Sequence, residues 1–347
     1  MDEKLLGSKY DLIQAPMAGV TTPKLVINVI KAGGFGMLAA GDVKPQVLER
    51  WIDEVKNETT QSFGVNFFVP RRFSVTDEEF KQAAKLFRPL YDSAGIRMDL
   101  NTPAVYEDVE KNFFNQVKTA LNKGIKVFSF IFGVPPESVR EDIKNAGGTI
   151  IATATTADEA AVLEECGADI IVAQGKAAGG HRGSFLKSVR DSFVETYDLV
   201  AQIKEDSQLP VIAAGGIMTG VDIKKLMTIS DGVQLGTAFI PCAESGASNI
   251  HKETVLSGKG ETKLTTAFTG REARAVRNKI MDEIENINAV VEYPVQRGLT
   301  GGLQQYGKDM HKKEYAMMLA GENFTESRNL TVGELIKVLV DEAGGSL

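Results

Sequence analysis

One unit recurs along the first two thirds of the chain and limits its fold more than any other feature. A short apolar stretch leads into a loop with glycine or proline, a helical pattern follows, and then the next apolar stretch begins. Strands that are apolar almost throughout are typical of a parallel sheet covered by helices on both faces. The unit occurs eight times, with predicted strands at residues 12–15, 35–38, 62–68, 125–130, 149–152, 169–172, 210–214 and 231–235.

Eight such units match a closed (β/α)8 TIM barrel, which takes about 250 residues. A doubly wound open sheet is the alternative, but no Gly-x-Gly-x-x-Gly fingerprint follows the first strand. We therefore predict an α/β fold with a barrel at residues 1–240 and a helical insertion near residues 70–122. A smaller lobe at residues 241–300 would cover the substrate, and C-terminal helices at residues 301–347 would pack back on the barrel.

Beyond the eighth strand the pattern changes, and we expect the smaller lobe to mix helices with extended chain. The predicted stretches are a helix at 247–257, an extended segment at 262–268, a helix at 272–286, and helical segments near 303–319 and 332–342. His251 lies in a helical pattern beside charged residues, so we place it on a solvated face. His311 lies in a charged stretch that is typical of a surface.

Charge and composition exclude several classes of partner. With 39 Lys and Arg against 46 Asp and Glu, the formal net charge is −7, which disfavours nucleic acid or an anionic membrane as the main partner. No run of 18 apolar residues exists, and residues 1–7 lack the apolar core of a secretory signal. The two cysteines, Cys166 and Cys242, offer neither a disulfide framework nor metal-ligand spacing. We expect a cytoplasmic protein with no metal site.

The loop after the sixth predicted strand carries the strongest signal for chemistry. Residues 175–183 contain four glycines together with His181 and Arg182. Glycine lets backbone N–H groups approach a ligand closely, and barrel enzymes place catalytic residues on the loops that follow their strands. The other interpretation is a loop in which glycines only form turns and His181 caps a neighbour. We predict that His181 is catalytic.

Two further glycine turns follow the seventh and eighth strands. The first contains Gly215 and Gly216, and the second contains Gly236 and Thr237, directly after Gln234 and Leu235. Loops at these two places in a barrel commonly bind phosphate through backbone N–H groups. Either glycine group alone would be ordinary turn chemistry. As a pair in this position, they predict a phosphate site.

Polar side chains at other strand ends permit two interpretations each. Asn66 ends the third strand, where its amide offers donors and an acceptor to a planar heterocycle or merely stabilises a turn. Gln174 could orient the same heterocycle or satisfy backbone groups. Met17, after Pro16, could pack on an aromatic ring, although methionine at a strand end is more often core.

Several of these motifs together resemble one known family. They occur in the order Gln14-Ala15-Pro16-Met17-Ala18-Gly19, Phe63-Gly64-Val65-Asn66, Gly179-Gly180-His181-Arg182-Gly183, Ala213-Ala214-Gly215-Gly216-Ile217, Thr269-Gly270-Arg271-Glu272-Ala273-Arg274 and Tyr293-Pro294-Val295-Gln296. The chain resembles the nitronate monooxygenases, formerly called 2-nitropropane dioxygenases, over most of its length. It departs from the family at Ala177, where a glutamate is common.

The resemblance implies a noncovalent flavin mononucleotide (FMN) at the barrel mouth. The phosphate would lie against the two glycine turns, and the ring would lie over the first, third and sixth strand ends. The implied cofactor residues are Pro16, Met17, Ala18, Asn66, Gln174, Gly179, Gly180, Gly215, Gly216, Gln234, Leu235, Gly236 and Thr237.

The implied reaction is oxidation of an alkyl nitronate by O₂ to a carbonyl compound and nitrite. His181 would be the base for a neutral nitroalkane or the cationic partner of a bound nitronate. The partners would be a small nitronate or nitroalkane and O₂, and a homodimer is one possibility.

Two other functions fit the same residues. An NAD(P)H-dependent flavin reductase, of the enoyl-acyl-carrier-protein or quinone reductase type, shares the phosphate turns and a histidine on this barrel. A flavin-free barrel that binds a phosphorylated ligand is the third hypothesis, because barrels support many chemistries.

Overall fold

The eight predicted strands all form, and together they build the centre of the molecule. The computed structural model describes residues 4–100 and 103–345. Numbered in chain order over two sheets, the strands are β1 (Leu12–Gln14), β2 (Met37–Ala39), β3 (Gly64–Phe68), β4 (Val127–Ile131), β5 (Thr149–Ala154), β6 (Ile170–Gln174), β7 (Gly180–His181), β8 (Val211–Ala214), β9 (Gly232–Leu235), β10 (Thr262–Thr265) and β11 (Ala273–Val276).

Eight of these strands run parallel in the order β1-β9-β8-β6-β5-β4-β3-β2. The gap between β1 and β2 is crossed by a parallel bridge between Ile13 and Phe35. On either side of it, Phe35 N donates to Leu12 O at 2.8 Å and Gln14 N donates to Phe35 O at 2.9 Å. The sheet is therefore a nearly closed barrel, and the predicted TIM-barrel fold is confirmed.

Twelve helices follow or flank the strands in the described part of the chain. They are α1 (Pro23–Lys31), α2 (Pro45–Glu58), α3 (Asp77–Ala94), α4 (Tyr106–Asn122), α5 (Glu137–Asn145), α6 (Ala157–Glu165), α7 (Thr196–Asp206), α8 (Gly220–Leu226), α9 (Asn249–Leu256), α10 (Lys279–Ile287), α11 (Gln296–Asp309) and α12 (Val332–Ala343). The first begins at Pro23, a residue favoured in the first turn of a helix, and the Thr22 side chain accepts from Leu25 N at its N-terminus.

Alternation along the strands divides the core into an inner and an outer layer. Side chains such as Ile13, Val127 and Ile212 pack inside the barrel. Their sequence neighbours point the other way and pack with the helices of the outer layer. The last helix, α12, lies beside α1 and α8 in that layer. The strand ends, and the loops that leave them, are held by a core on both faces.

The second sheet and three helices form a smaller unit beside the barrel mouth. Its strands pair antiparallel in the order β10-β11-β7. Helices α10 and α11 pack against α3, which lies between β3 and β4 in the chain. In contrast, α4 packs against α2 in the outer layer of the barrel. The division of the chain into domains remains a prediction, and its residues 1–3, 101–102 and 346–347 lie outside the described residues.

Two secondary-structure predictions in this unit were partly wrong. Residues 272–286 were expected to be helical, but β11 occupies the first part and α10 begins only at Lys279. Strand pairing with β7 and β10 outweighs the local helical pattern of β11. The helix expected at residues 303–319 ends at Asp309 instead, and His311 follows with a φ of 54°. A positive φ stops a helix, so the chain continues from there in irregular and extended form.

Candidate functional site

A cavity opens at the carboxyl ends of the barrel strands, and every predicted site residue lines it. The empty space between the lining atoms, mouth included, is about 1290 Å³. The structure brings together Pro16, Met17, Ala18, Asn66, Gln174, Gly179, Gly180, His181, Gly215, Gly216, Gln234, Leu235, Gly236 and Thr237. A cavity at this edge of a barrel, lined by residues from several strand ends, is the expected place for a ligand.

One end of the cavity is formed by backbone. Gly215 and Gly216 have φ values of 115° and 75°, which L side chains rarely adopt. In the described hydrogen-bond network, the N–H groups of Gly216 and Ile217, and those of Gly236 and Thr237 opposite, donate to no protein acceptor. Unpartnered N–H groups that converge on one space favour an anion such as phosphate.

Amide side chains lie between this end and His181. Asn66 donates from Nδ2 to Ser129 Oγ at 3.0 Å, and its Oδ1 has no partner among the described residues. Gln174 donates from Nε2 to His181 O at 3.0 Å, while its Oε1 accepts from Gly183 N at 2.8 Å. The Gln174 amide therefore binds the backbone of the His181 loop, as the second interpretation of this residue expected.

His181 also lines the cavity, on the short strand β7. Pairing with β11 places it directly across from Ala273. Its ring lies between Phe132 and Tyr293, with centroid separations of 6.0 and 5.8 Å, and both contacts are edge-on. Nε2 is 2.9 Å from Thr269 Oγ1. This hydroxyl also lies 3.2 Å from the Arg271 carbonyl.

Burial and a neighbouring cation set the charge of His181. Burial is the larger cause and the Arg271 guanidinium the smaller one, and together they lower the pKa of His181 to about 4. The imidazole is therefore neutral at pH 7. The Thr269 hydroxyl has one proton and two acceptors within reach, Nε2 of His181 and the Arg271 carbonyl. Nδ1 is the ring nitrogen that Thr269 does not contact.

Two buried charges hold the loop that carries His181. The fully buried guanidinium of Arg182 donates to Gly175 O at 2.6 Å and to Ser192 O at 3.0 Å. The buried carboxylate of Glu159 accepts from Phe185 N at 2.6 Å and from Leu186 N at 3.1 Å. Charge-assisted hydrogen bonds of this kind fix the loop on both sides of His181.

Sequence reasoning missed several residues of the cavity wall. Arg297, Leu319, Gly321 and Asn323 line the cavity although they belong to the C-terminal part of the chain. Arg297 forms an ion pair with Asp42, and burial lowers the pKa of its guanidinium to about 10, so it stays charged. Asparagine and arginine at these positions match no local motif, so no sequence signal pointed to them.

The other two histidines differ from each other in position. His251 is buried, and its Nε2 is 2.9 Å from Leu319 O, so the prediction of a solvated face was wrong. Packing of α9 against the segment that contains Leu319 covers this side of the helix. His311 is exposed and pairs with Glu253 at 2.7 Å, which confirms its predicted surface position.

Residues 4–100 and 103–345, the described part of the chain, contain neither a metal-binding cluster nor a membrane-spanning helix. No group of three or more His, Cys, Asp or Glu side chains there is placed to hold a metal ion. Within those same ranges, no helix combines the length and apolar character that crossing a membrane requires.

Comparisons with known proteins point in one direction. A family model described as nitronate monooxygenase matches residues 2–342. A protein named probable nitronate monooxygenase from Staphylococcus aureus (strain JH9) is 39% identical over 324 residues, which cover 92% of this chain and 90% of the relative. A protein of the same name from Staphylococcus haemolyticus (strain JCSC1435) is 37% identical over 342 residues, covering 97% and 95%.

Solved structures agree with these matches. A nitroalkane oxidase from Streptomyces ansochromogenes superposes with a TM-score of 0.89 at 34% identity, covering 97% of this chain and 96% of that one. FabK from Thermotoga maritima superposes with a TM-score of 0.74 at 24% identity, covering 98% and 94%. At that identity, the second match supports the fold alone.

Proposed function

The chain belongs to the nitronate monooxygenase family, and on that premise we propose that it uses FMN to oxidise alkyl nitronates with O₂ to a carbonyl compound and nitrite. One observation carries the proposal. The residues predicted for the cofactor and the predicted catalytic histidine, which come from five separate loops, line a single cavity.

The residues of the cavity fit FMN. At one end, the unpartnered N–H groups of the two glycine turns suit a dianionic phosphate. In the middle, the free Oδ1 of Asn66 and the apolar side chain of Met17 suit the polar edge and the face of a planar ring. When bound, FMN supplies the redox chemistry, which none of the protein side chains provides.

His181 handles the proton in this proposal. Its neutral imidazole can accept a proton from the carbon of a nitroalkane at Nδ1, the ring nitrogen that Thr269 does not contact, whereas a nitronate that arrives already ionised needs no base. Of the two roles considered from sequence, the lowered pKa supports the base over the cationic partner. A bound anion would raise the pKa of His181, and the Nε2 contact with Thr269 would hold the ring in place as this happens.

Two arginines stack on the aromatic rings beside His181. The Arg271 guanidinium lies 4.0 Å from the centroid of the Phe132 ring, which itself packs against His181. The Arg297 guanidinium lies over Tyr293 at 5.4 Å, and its charge is offset by the ion pair with Asp42. Arg271 therefore supplies the positive charge at the substrate end, without a positive imidazole. This arrangement suits an anionic nitronate.

A single preparation tests the proposal against its main alternative. The purified chain is loaded with FMN, and O₂ uptake and nitrite formation are measured with an alkyl nitronate. The same sample is then mixed anaerobically with NADH or NADPH. We expect nitronate-dependent O₂ uptake with nitrite as product and no rapid bleaching of the flavin by either nicotinamide.

The opposite result would assign the chain to the flavin reductases that share this barrel. A protein that binds no flavin at all would support the third hypothesis, a flavin-free barrel for a phosphorylated ligand. Oligomeric state, for which the sequence left a homodimer as one possibility, is read from the same preparation by light scattering.

A further inference from the structure

A segment far along the chain closes the backbone end of the cavity. Residues 319–323, here called the closing segment, follow α11 after an irregular stretch and line the cavity through Leu319, Gly321 and Asn323. No glycine-rich motif or charge pattern marks it in the sequence. Its contacts fall on the two glycine turns assigned above to phosphate.

The first contact concerns the turn after β9. Gly321 N donates to Thr237 Oγ1 at 2.9 Å. A hydroxyl has one proton, and an oxygen that accepts from one side is free to donate from the other. The Gly321 amide therefore orients Thr237 so that its proton is available to an acceptor other than the closing segment.

The second contact concerns the turn after β8. Asn323 Nδ2 donates to Gly216 O at 2.7 Å. In a planar trans peptide, the C=O and the next N–H point in opposite directions. By holding the Gly216 carbonyl, Asn323 directs the Ile217 N–H away from itself, and Ile217 lines the cavity. One side chain thus fixes a donor of the first turn, as Gly321 fixes a donor of the second.

The position of the closing segment is itself tightly held. Glu322 N donates to Ala177 O at 3.0 Å, and the Glu322 carboxylate pairs with Arg274 at 2.7 Å. A Cβ on Gly321 would lie 2.7 Å from the Ala177 carbonyl oxygen, so only glycine allows this approach. Backbone packs directly on backbone here, and small displacements would be transmitted to the glycine turns.

We propose that the closing segment is a third element of the cofactor's phosphate site, with Gly321 and Asn323 as positioning residues that act through Thr237 and Gly216. The proposal rests on the proposed function, because it presumes a flavin with a phosphate tail. It predicts that the closing segment contributes to the preference for FMN over riboflavin, which has the same ring and no phosphate.

The test measures dissociation constants of FMN and riboflavin for the flavin-free full-length chain, by quenching of flavin fluorescence. Asn323→Leu removes the amide at similar size, and Gly321→Ala brings a methyl group against Ala177. We expect each variant to weaken FMN binding about tenfold, and riboflavin binding less than twofold. Asn329→Leu, at an exposed position, and Gly333→Ala, where a Cβ meets nothing within 4 Å, are matched controls.

Failure of this inference differs from failure of the proposed function. If the wild-type chain prefers FMN but Asn323→Leu keeps the same ratio of the two dissociation constants, the closing segment has no role in phosphate binding. If the wild-type chain binds neither flavin, the proposed function fails and the inference fails with it.

Hydrogen exchange on the wild-type chain gives a second measurement that no variant's misfolding can affect. Saturating FMN should slow exchange in a peptide covering residues 319–323 more than saturating riboflavin does. Equal protection by the two ligands would overturn the proposal.

Discussion

The two ends of the cavity are built from different parts of the polypeptide. At one end, backbone N–H groups of two glycine turns face the open space, and Gly216 and Thr237 are held by a distant segment. At the other end, His181 lines the space, and Thr269 and Tyr293 contact its ring. Backbone groups bind an anion without changing charge, whereas side chains can exchange protons. In the proposed function, cofactor binding and proton transfer therefore depend on different groups. Substitutions at one end should change the affinity for FMN, and substitutions at the other should change turnover.

The largest expected effect is a loss of turnover when His181, at the side-chain end of the cavity, is replaced. His181→Asn removes the base, and we expect turnover of a neutral nitroalkane to fall about 100- to 1000-fold, within the usual range for general acid–base catalysis. The dissociation constant of FMN should change less than threefold. Steady-state kinetics and flavin titration measure the two quantities. His311→Asn, at an exposed histidine, is the control, and equal loss in both variants would remove His181 from the mechanism.

The backbone end should respond in the opposite way. In Gly216→Ala, a Cβ would lie 2.9 Å from the Ala177 Cβ on a backbone with a φ of 75°. We expect the dissociation constant of FMN to rise about tenfold or more, and turnover at saturating FMN to stay within threefold of wild type. Gly95→Ala has a similar φ of 70° and open space around it, so it controls for backbone strain alone. A loss of turnover that saturating FMN fails to restore would contradict the separation.

A smaller loss of turnover is expected at Thr269, which contacts His181 but does not line the cavity. Thr269→Val removes the hydroxyl at nearly constant shape, so Nε2 of His181 loses its hydrogen-bond partner. We expect turnover to fall about tenfold with an altered pH profile, and Thr269→Ser to restore both. Nitrogen NMR of the His181 ring reports the tautomer directly. An unchanged pH profile in the valine variant would show that the ring is held by its aromatic neighbours instead.

The smallest effect concerns stability and the second buried histidine. Burial lowers the pKa of His251 to about 4, whereas an unfolded histidine titrates near 6.5. Between these values the unfolded chain binds one more proton, so stability falls as pH falls through this window, by roughly 1 kcal/mol per pH unit. His181 adds a similar contribution. Denaturant midpoints from pH 7.5 to 5 measure the slope, which His251→Gln should reduce and His311→Gln should leave unchanged.

The features that the sequence predicts are those encoded in short stretches of the chain, and the features it misses depend on tertiary packing. The eight strands and the glycine turns could be predicted because apolar runs and turn glycines are recognisable within a few residues of sequence. Gly215, Gly216 and His181 were therefore placed correctly in one cavity. Arg297 and the closing segment reach the same cavity only through tertiary packing. Thr269 reaches His181 in the same way. His251 shows the limit most clearly, because its charged sequence neighbours indicate solvent and only the contact with Leu319 buries it.

The strand β11 contacts two parts of the cavity wall, the strand that carries His181 and the closing segment. One edge of β11 pairs with β10. The other edge pairs first with β7 and then, through a bridge between Ala275 and Leu319, with the closing segment. His181 and the closing segment are thus both paired with one strand, β11. An insertion or a proline in β11 would displace both of them, although neither would itself have been changed.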